Sequence, residues 1–396
     1  MINQGEFAVL ALGGAGCRII SHLAGMPQAE QLKLLAMDTD QSALETTGLP
    51  PENCILAGEL WRNGKGCGGN VLDGQRAASH ERPRLTGALQ GCKALIICGG
   101  LGGGTASGSV QIALSVASNL HLPAVCLFTL PFSQEGMRRV RTAEQVVLND
   151  IVPVADALIA LPNDLLFASL DSKTPLAEAF RQSDLQMARS ILALSSVLLS
   201  GNLYNTDFSS FSGLLKRKKS RCALGVGVVE AGENIDHPAQ EAVSRMLASP
   251  LLGGPSVLAD ADEVILTLLG GSDLSLGDTQ EAFAFASGCL GKNSGVLTGA
   301  AVNPAWQGTF QFTALAVKFD EVSKVESPLS QRKGRRRKNS SPENLSGSIE
   351  QLDLPIDEVL YHKGIMEKTD PTRWGNEDLD VPTFQRKNLV VDTGKK

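Results

Sequence analysis

Short, nearly continuous apolar runs alternate along the first part of the chain with stretches whose apolar positions recur every three or four residues. Phe7–Leu12, Leu32–Met37, Ala94–Ile97, Ala124–Leu130 and Asp156–Leu161 are runs of the first kind. They are too short for helices and predict strands covered on both faces. Ile19–Leu23, Gln75–Ala88 and Val110–Ala117 have helical spacing, and a further helix is expected to start near Glu135. Strand–helix alternation of this kind predicts an α/β domain with a doubly wound parallel sheet. Pro175–Leu199 reads as one long helix with Phe180, Met187, Ile191 and Leu194 on a shared face. After it the pattern changes. Ala223–Val229, Glu263–Leu269, Gly295–Val302 and Thr309–Phe319 predict strands, with one helix, Pro238–Leu247, among them: a smaller α+β domain. The expected organisation is a first domain over 1–172, a central helix over 173–200, the α+β domain over 201–320, a disordered linker over 321–376 and a tail over 377–396. The linker expectation rests on Gln331–Ser341, charged and without aliphatic residues and including the basic run Arg335–Lys338, and on the Pro, Ser, Asn and Glu that dominate nearby.

Composition narrows the class. At 396 residues and 43% hydrophobic, the chain has enough apolar surface for two or three domains. A net charge of −6 gives no general reason to expect nucleic acid. The eight cysteines include no C-x-x-C pair and the five histidines are isolated, which argues against a zinc site or a His-based triad. The polar start Met1–Glu6 lacks a signal-peptide profile, and no apolar run reaches the ~18 residues needed to cross a bilayer. A soluble cytoplasmic protein with reduced thiols is expected.

The chemistry is concentrated in glycine. Cys98–Gly108 holds six glycines in eleven residues, between an expected strand and an expected helix. Such a turn exposes backbone N–H groups at a helix N-terminus, where the helix dipole favours an anion. Thr105 and Ser107 add hydroxyl donors. A P-loop, G-x-x-x-x-G-K-S/T, is absent: none of the Gly-Lys pairs at 64, 291 and 394 is followed by Ser or Thr. A nicotinamide-binding fold is a competing reading from another class. Gly13-Gly14-Ala15-Gly16 is one residue from G-x-G-x-x-G, and Asp38 stands where a ribose-binding carboxylate belongs. That oxidoreductase would carry its richest glycine turn on the first strand, however, whereas here it lies on a later one. A third glycine loop, Gly66–Gly69, lies between the two. Three glycine loops at strand ends suit a polyphosphate better than one pyrophosphate.

Together these loops resemble the tubulin/FtsZ family of cell-division GTPases. Gly102-Gly103-Gly104-Thr105-Ala106-Ser107-Gly108 is similar to the family's G-G-G-T-G-S/T-G, with Ala106 in place of a glycine. Gly13-Gly14-Ala15-Gly16 resembles its first loop, with Cys17 and Arg18 following where an asparagine is usual. Asp38-Thr39-Asp40 resembles Asn-Thr-Asp, and Gly68-Gly69-Asn70 the loop ending in Asn. Pro131-Phe132 with Glu135 and Arg139 is similar to P-F-x-x-E-G-x-x-R, and Leu161-Pro162-Asn163-Asp164 to I-P-N-D. Phe180 and Asp184, one helical turn apart, match an aromatic that stacks on guanine and an acid that reads its edge. A carboxylate accepts from both the ring N–H and the exocyclic amine of guanine, a donor pair that adenine lacks. Ser249-Pro250-Leu251-Leu252 and Gly271–Leu276 resemble second-domain motifs.

The resemblance implies a tubulin-like two-domain fold that binds GTP or GDP with Mg²⁺. Its subunits would stack head to tail into a filament of the bacterial division ring. Asn205 and Asp207 match the loop with which one subunit completes hydrolysis on its neighbour. Ser210 replaces that loop's second acid, so slow turnover, or a GTP-binding filament with little hydrolysis, is expected. Asp378, Leu379, Asp380, Val381, Pro382, Phe384 and Arg386 resemble the tail peptide D-x-D-I-P-x-F-x-R. This implies docking on a membrane-tethering division protein and localisation at the division site.

Overall fold

Every residue of the first strand, β1 (Phe7–Leu12), is buried, and its side chains alternate between two cores. Phe7, Val9 and Ala11 join one core; Ala8, Leu10 and Leu12 join the other. This is the period-2 geometry of a strand with both faces covered. Fully burying a side chain such as Leu10 contributes about 1.5–3 kcal/mol, which is why unbroken apolar runs become central strands. The computed structural model describes residues 5–168, 170–171, 173–199, 220–302 and 306–319, with backbone pairs at 373–374 and 377–378.

The chain divides into two units, Met1–Lys324 and Val325–Lys396. In the first, β2 (Lys33–Asp38), β3 (Cys54–Leu56), β4 (Ala94–Gly100), β5 (Ala124–Leu130) and β6 (Ala157–Pro162) join β1 in the order β3-β2-β1-β4-β5-β6, all parallel. Strand order reverses between β1 and β4. In open α/β sheets, ligands bind in the crevice beyond the carboxyl ends of strands at such a switch point. Helix α1 (Gly13–Ala24) follows β1, and a short α2 (Gln41–Glu45) follows β2. After β3 come α3 (Glu59–Arg62), α4 (Val71–His80) and α5 (Arg82–Leu89). The single helix expected over Gln75–Ala88 is therefore two, broken at Glu81 ahead of Pro83, whose ring suits a first turn and not an interior. Helix α6 (Gly104–Asn119) follows β4, α7 (Met137–Val146) follows β5, and α8 (Asn163–Ala168) follows β6.

The long helix α9 (Leu176–Leu199) is as expected from its spacing. Met187, Ile191 and Leu194 are buried in a core that holds Val9 and Ile96 from the first half. The same core holds Leu224, Ile265 and Leu315 from the second. The sheet continues through β7 (Ser220–Val229), joined to β6 over Leu158↔Arg221 and Ile159↔Cys222. Beyond it lie β10 (Phe310–Phe319) and β8 (Glu263–Gly270), each antiparallel to its predecessor, then β9 (Gly295–Val302), parallel to β8. Helix α10 (Pro238–Leu247) and a second helix, α11 (Leu276–Ser287), cover the far face. The sequence reading expects no helix at α11, where apolar residues are scattered. Its local signal is a reciprocal cap: Ser275 Oγ accepts the Asp278 N–H, and the Asp278 carboxylate accepts the Ser275 N–H.

In the second unit, Arg373–Trp374 and Glu377–Asp378 pair antiparallel. The rest of the expected linker and the tail positions Leu379, Asp380, Val381, Pro382, Phe384 and Arg386 lie outside the described residues, as do Asn205, Asp207 and Ser210. Among the described residues no helix is long and apolar enough to cross a membrane.

Candidate functional site

A cleft of about 910 Å³ opens at the carboxyl ends of the parallel strands. Two helices start on it, α1 at Gly13 and α6 at Gly104, and neither has a side-chain cap: their N-cap residues are Leu12 and Gly103. The first N–H groups of a helix have no partner within it, and the positive end of its dipole lies there. Two such ends on one cleft form an anion site. Neighbouring helices differ. The Asn70 side chain caps α4 by accepting from Leu72 N (3.0 Å) and Asp73 N (3.4 Å), and the Asp40 carboxylate caps α2 by accepting from Ser42 N.

The expected site residues divide by this geometry. Gly13, Gly14, Ala15 and Arg18 line the cleft from the first loop and its helix, Asp40 from the loop after β2, and Gly68 and Gly69 from the third glycine loop. Gly103, Gly104, Thr105 and Ala106 line it from the richest glycine turn, and Glu135, Arg139, Asn163, Phe180 and Asp184 from the later elements. Gly16, Cys17, Asn70, Gly102, Ser107 and Gly108 do not line it. Gly16 lets α1 approach β1: a Cβ there would be 3.1 Å from the Ala11 carbonyl carbon. Ser107 Oγ accepts the Gly102 N–H at 3.0 Å and closes the turn from within. At Gly108 a Cβ would be driven into the backbone of Val71 and Gln75, so this glycine lets α4 lie against α6. The alanine at 106 is accommodated by Gly13, whose φ is +71° and whose added Cβ would lie 3.2 Å from the Ala106 methyl.

Asp38 lies at the end of β2, 3% exposed. Burial pushes its carboxyl above the ordinary range, while the Thr39 and Asp40 N–H groups pull it back. Oδ1 accepts from both those amides, at 2.6 and 3.3 Å, and Oδ2 faces the Cys17 thiol at 3.9 Å. Its oxygens organise their own loop, an arrangement unlike the free ribose acceptor of the nicotinamide reading. Thr39 Oγ1 and Thr105 Oγ1 share a hydrogen bond of 2.7 Å, tying the second loop to the glycine turn.

At the other end of the cleft, Phe180 lies 6.1 Å centroid to centroid from Phe132. Glu135 is held by the Phe132 N–H (3.1 Å) and by Arg139 Nη1 (2.6 Å). The Asp184 side chain is 5% exposed and accepts from Arg18 Nε at 2.6 Å. Burial raises its pKa, and the bond to Arg18 opposes that rise. Cleft residues absent from the sequence reading include His22, Cys67, Thr129, Ala177, Arg181 and Ser183. Helical spacing from Phe180 and Asp184 finds Ala177 and Arg181 on the same face of α9, and Arg18 finds His22 one turn along α1. Cys67 lies within the third glycine loop, and nothing local in the sequence points to Thr129.

Among the described residues no three His, Cys, Asp or Glu side chains cluster for a metal ion. Asp38 and Asp40 line the cleft, and a Mg²⁺ ion held mainly through the anionic oxygens of a ligand and water would need no larger cluster.

Residues 6–171 match the GTPase domain of the Tubulin/FtsZ family. The structure is similar to an FtsZ dimer, empty, from M. jannaschii, with a TM-score of 0.70 and 26% identity over 82% of this chain and 95% of that one. It is also similar to a tryptophan-to-tyrosine point mutant of M. jannaschii FtsZ, with a TM-score of 0.68 and 28% identity over 79% of this chain and 91% of that one. A GTPγS-bound CetZ2 protofilament from Haloferax volcanii has a TM-score of 0.63 and 20% identity, covering 80% of this chain and 94% of that one. The fold is the tubulin/FtsZ fold.

Proposed function

We propose that this chain, a tubulin/FtsZ fold with a matching GTPase domain, binds GTP in the cleft, assembles head to tail, and hydrolyses GTP slowly. The observation that carries the reading is one cleft with two uncapped helix N-termini at one end and Phe180 with Asp184 at the other. The N–H groups of Gly14, Gly104 and Thr105 hold phosphate oxygens, and Phe180 stacks on the base whose donors Asp184 accepts. Glu135 and Asn163 face the sugar, with Arg139 as a fixed positive charge. A Mg²⁺ ion would be held through the phosphates and would supply positive charge there, with no side chain of this chain ligating it directly.

Asn205 and Asp207, from the loop of the next subunit, orient the attacking water, while Ser210 supplies a hydroxyl in place of a second carboxylate. A charge-assisted bond is roughly twice as strong as a neutral one, hence slow turnover. M. jannaschii FtsZ is recorded as a dimer and Haloferax CetZ2 as a protofilament, which supports assembly here. The role we assign is a cytoplasmic filament of the bacterial division ring, recruited by a membrane-tethering protein through Asp378–Arg386.

The test is phosphate release at matched polymer mass. Asp207→Ala should abolish turnover and retain GTP binding, and Ser210→Asp should raise turnover and shorten filament lifetime. Equal rates in all three proteins would remove this loop from the chemistry. Preference for NAD over GTP in a thermal-shift assay would replace the reading with the oxidoreductase.

A further inference from the structure

The two edges of the large sheet are built differently. On one side it ends in β3, three residues long. On the other it ends in β9, whose eight residues are all in register with β8. Proteins blunt a strand edge by keeping it short, by placing charge or proline on it, or by covering it. β3 is short. β9 carries no charge and no proline, and among the described residues no strand pairs with its outer edge. Its backbone offers a row of N–H and C=O groups for strand addition.

The side chains beside that edge indicate what adds to it. Val296 and Val302 are in register with Val264 and Gly270 of β8, so they point to the face where Val264 is buried under α10 and α11. They remain 42% and 41% exposed. On α11, Phe283 packs against Phe312 of β10 with ring centroids 5.5 Å apart, so that side of the helix faces the middle of the sheet. Phe285 comes about 200° further round the helix, towards the β9 edge, and is 38% exposed. A single extended peptide would pair with the backbone of β9 and leave Phe285 in water. A second copy, turned about a two-fold axis perpendicular to the sheet, brings its own β9 antiparallel to this one. Its α11 then arrives on the same face.

We infer that β9 is a self-association edge, through which two copies of this chain join into one continuous sheet. Phe285, Val296 and Val302 of both copies form an apolar strip along the seam. The contact is isologous and uses up the long edge of each copy, so it closes at a dimer. It does not involve the cleft. In the head-to-tail stack proposed above, it joins two filaments side by side, running in opposite directions.

The test uses the full chain without nucleotide, so its result does not depend on the GTP reading. Sedimentation of the wild type should show a monomer–dimer equilibrium. Combining Val296→Lys with Val302→Lys should weaken it by about tenfold or more, because like charges then face each other across the seam. Leu148→Lys, an equally large change at an exposed residue between α7 and β6, should leave it unchanged. A second measurement needs no variant. Hydrogen exchange of the β9 amides in the wild type should slow as rising concentration fills the dimer, while that of β3 should not. A wild type that stays monomeric, or that associates without stopping at a dimer, overturns the inference. Dimerisation of the lysine variant at wild-type strength overturns it too, as does β9 exchange that ignores concentration.

Discussion

Asp184 combines a buried carboxylate with a partner that keeps it charged. Burial raises its pKa and the Arg18 bond lowers it, with burial the larger effect. Guanine recognition needs the ionised form. GTP affinity should therefore fall on acidification at a pH above the usual carboxylate range of about 4, with the bound-state titration followed by fluorescent-GTP binding. Asp184→Ala should weaken GTP by about 1.5–3 kcal/mol without a gain in ATP binding; unchanged GTP affinity would sink the assignment. Asp38 has the same direction of shift with a different consequence. Its folded-state pKa lies above the unfolded value, so its stability contribution is present below the unfolded value and lost as pH rises through the folded one. Asp38→Asn should flatten that loss in thermal melts of the nucleotide-free protein as pH rises above the ordinary carboxylate range of about 4.

At the scale of elements, the site depends on how closely α4 lies against α6. A Cβ on Gly74 would be driven into the Gly104 carbonyl oxygen, and one on Gly104 would lie 2.8 Å from Asn70 N. Neither partner is a flexible side chain, so a methyl there moves one helix and the glycine turn with it. Gly74→Ala should cost about 1–3 kcal/mol in urea denaturation and weaken GTP binding together. Gly87→Ala on exposed α5 has nothing within 4 Å to meet and should gain about 0.5–1 kcal/mol from helix propensity. Stabilisation by both substitutions would show that the α4–α6 contact does not constrain the turn. The missed helix α11 and the divided helix α4–α5 belong to this scale too. Each was marked locally, by the Ser275–Asp278 cap and by Pro83, where apolar spacing alone gives no boundary.

For the whole molecule, α9 supports both halves of a sheet whose parallel and antiparallel parts meet over two register pairs at β6 and β7. The division between Lys324 and Val325 leaves this sheet within one unit. A chain ending at Lys324 should melt at the same temperature as the full chain and form GTP-dependent filaments, seen by light scattering. It should lose recruitment to vesicles carrying the tethering partner. Failure to polymerise would show that the tail belongs to the assembling body.

What the sequence determined by itself was local: which runs become buried strands, the long face of α9, and glycine turns at strand ends. Strand burial and helix spacing act over a few residues, so hydrophobic pattern is enough to read them. Tertiary structure alone decided the division of labour among the glycines. Gly14 and Gly103 line the cleft with no backbone pressed against them, whereas Gly16 and Gly108 let backbones touch, and composition cannot separate these uses. It also decided the partner of Asp184. Arg18 lies 166 positions away, and only the packing of α1 against α9 brings the two within hydrogen-bond distance, because sheet order rather than chain order sets which helices are neighbours.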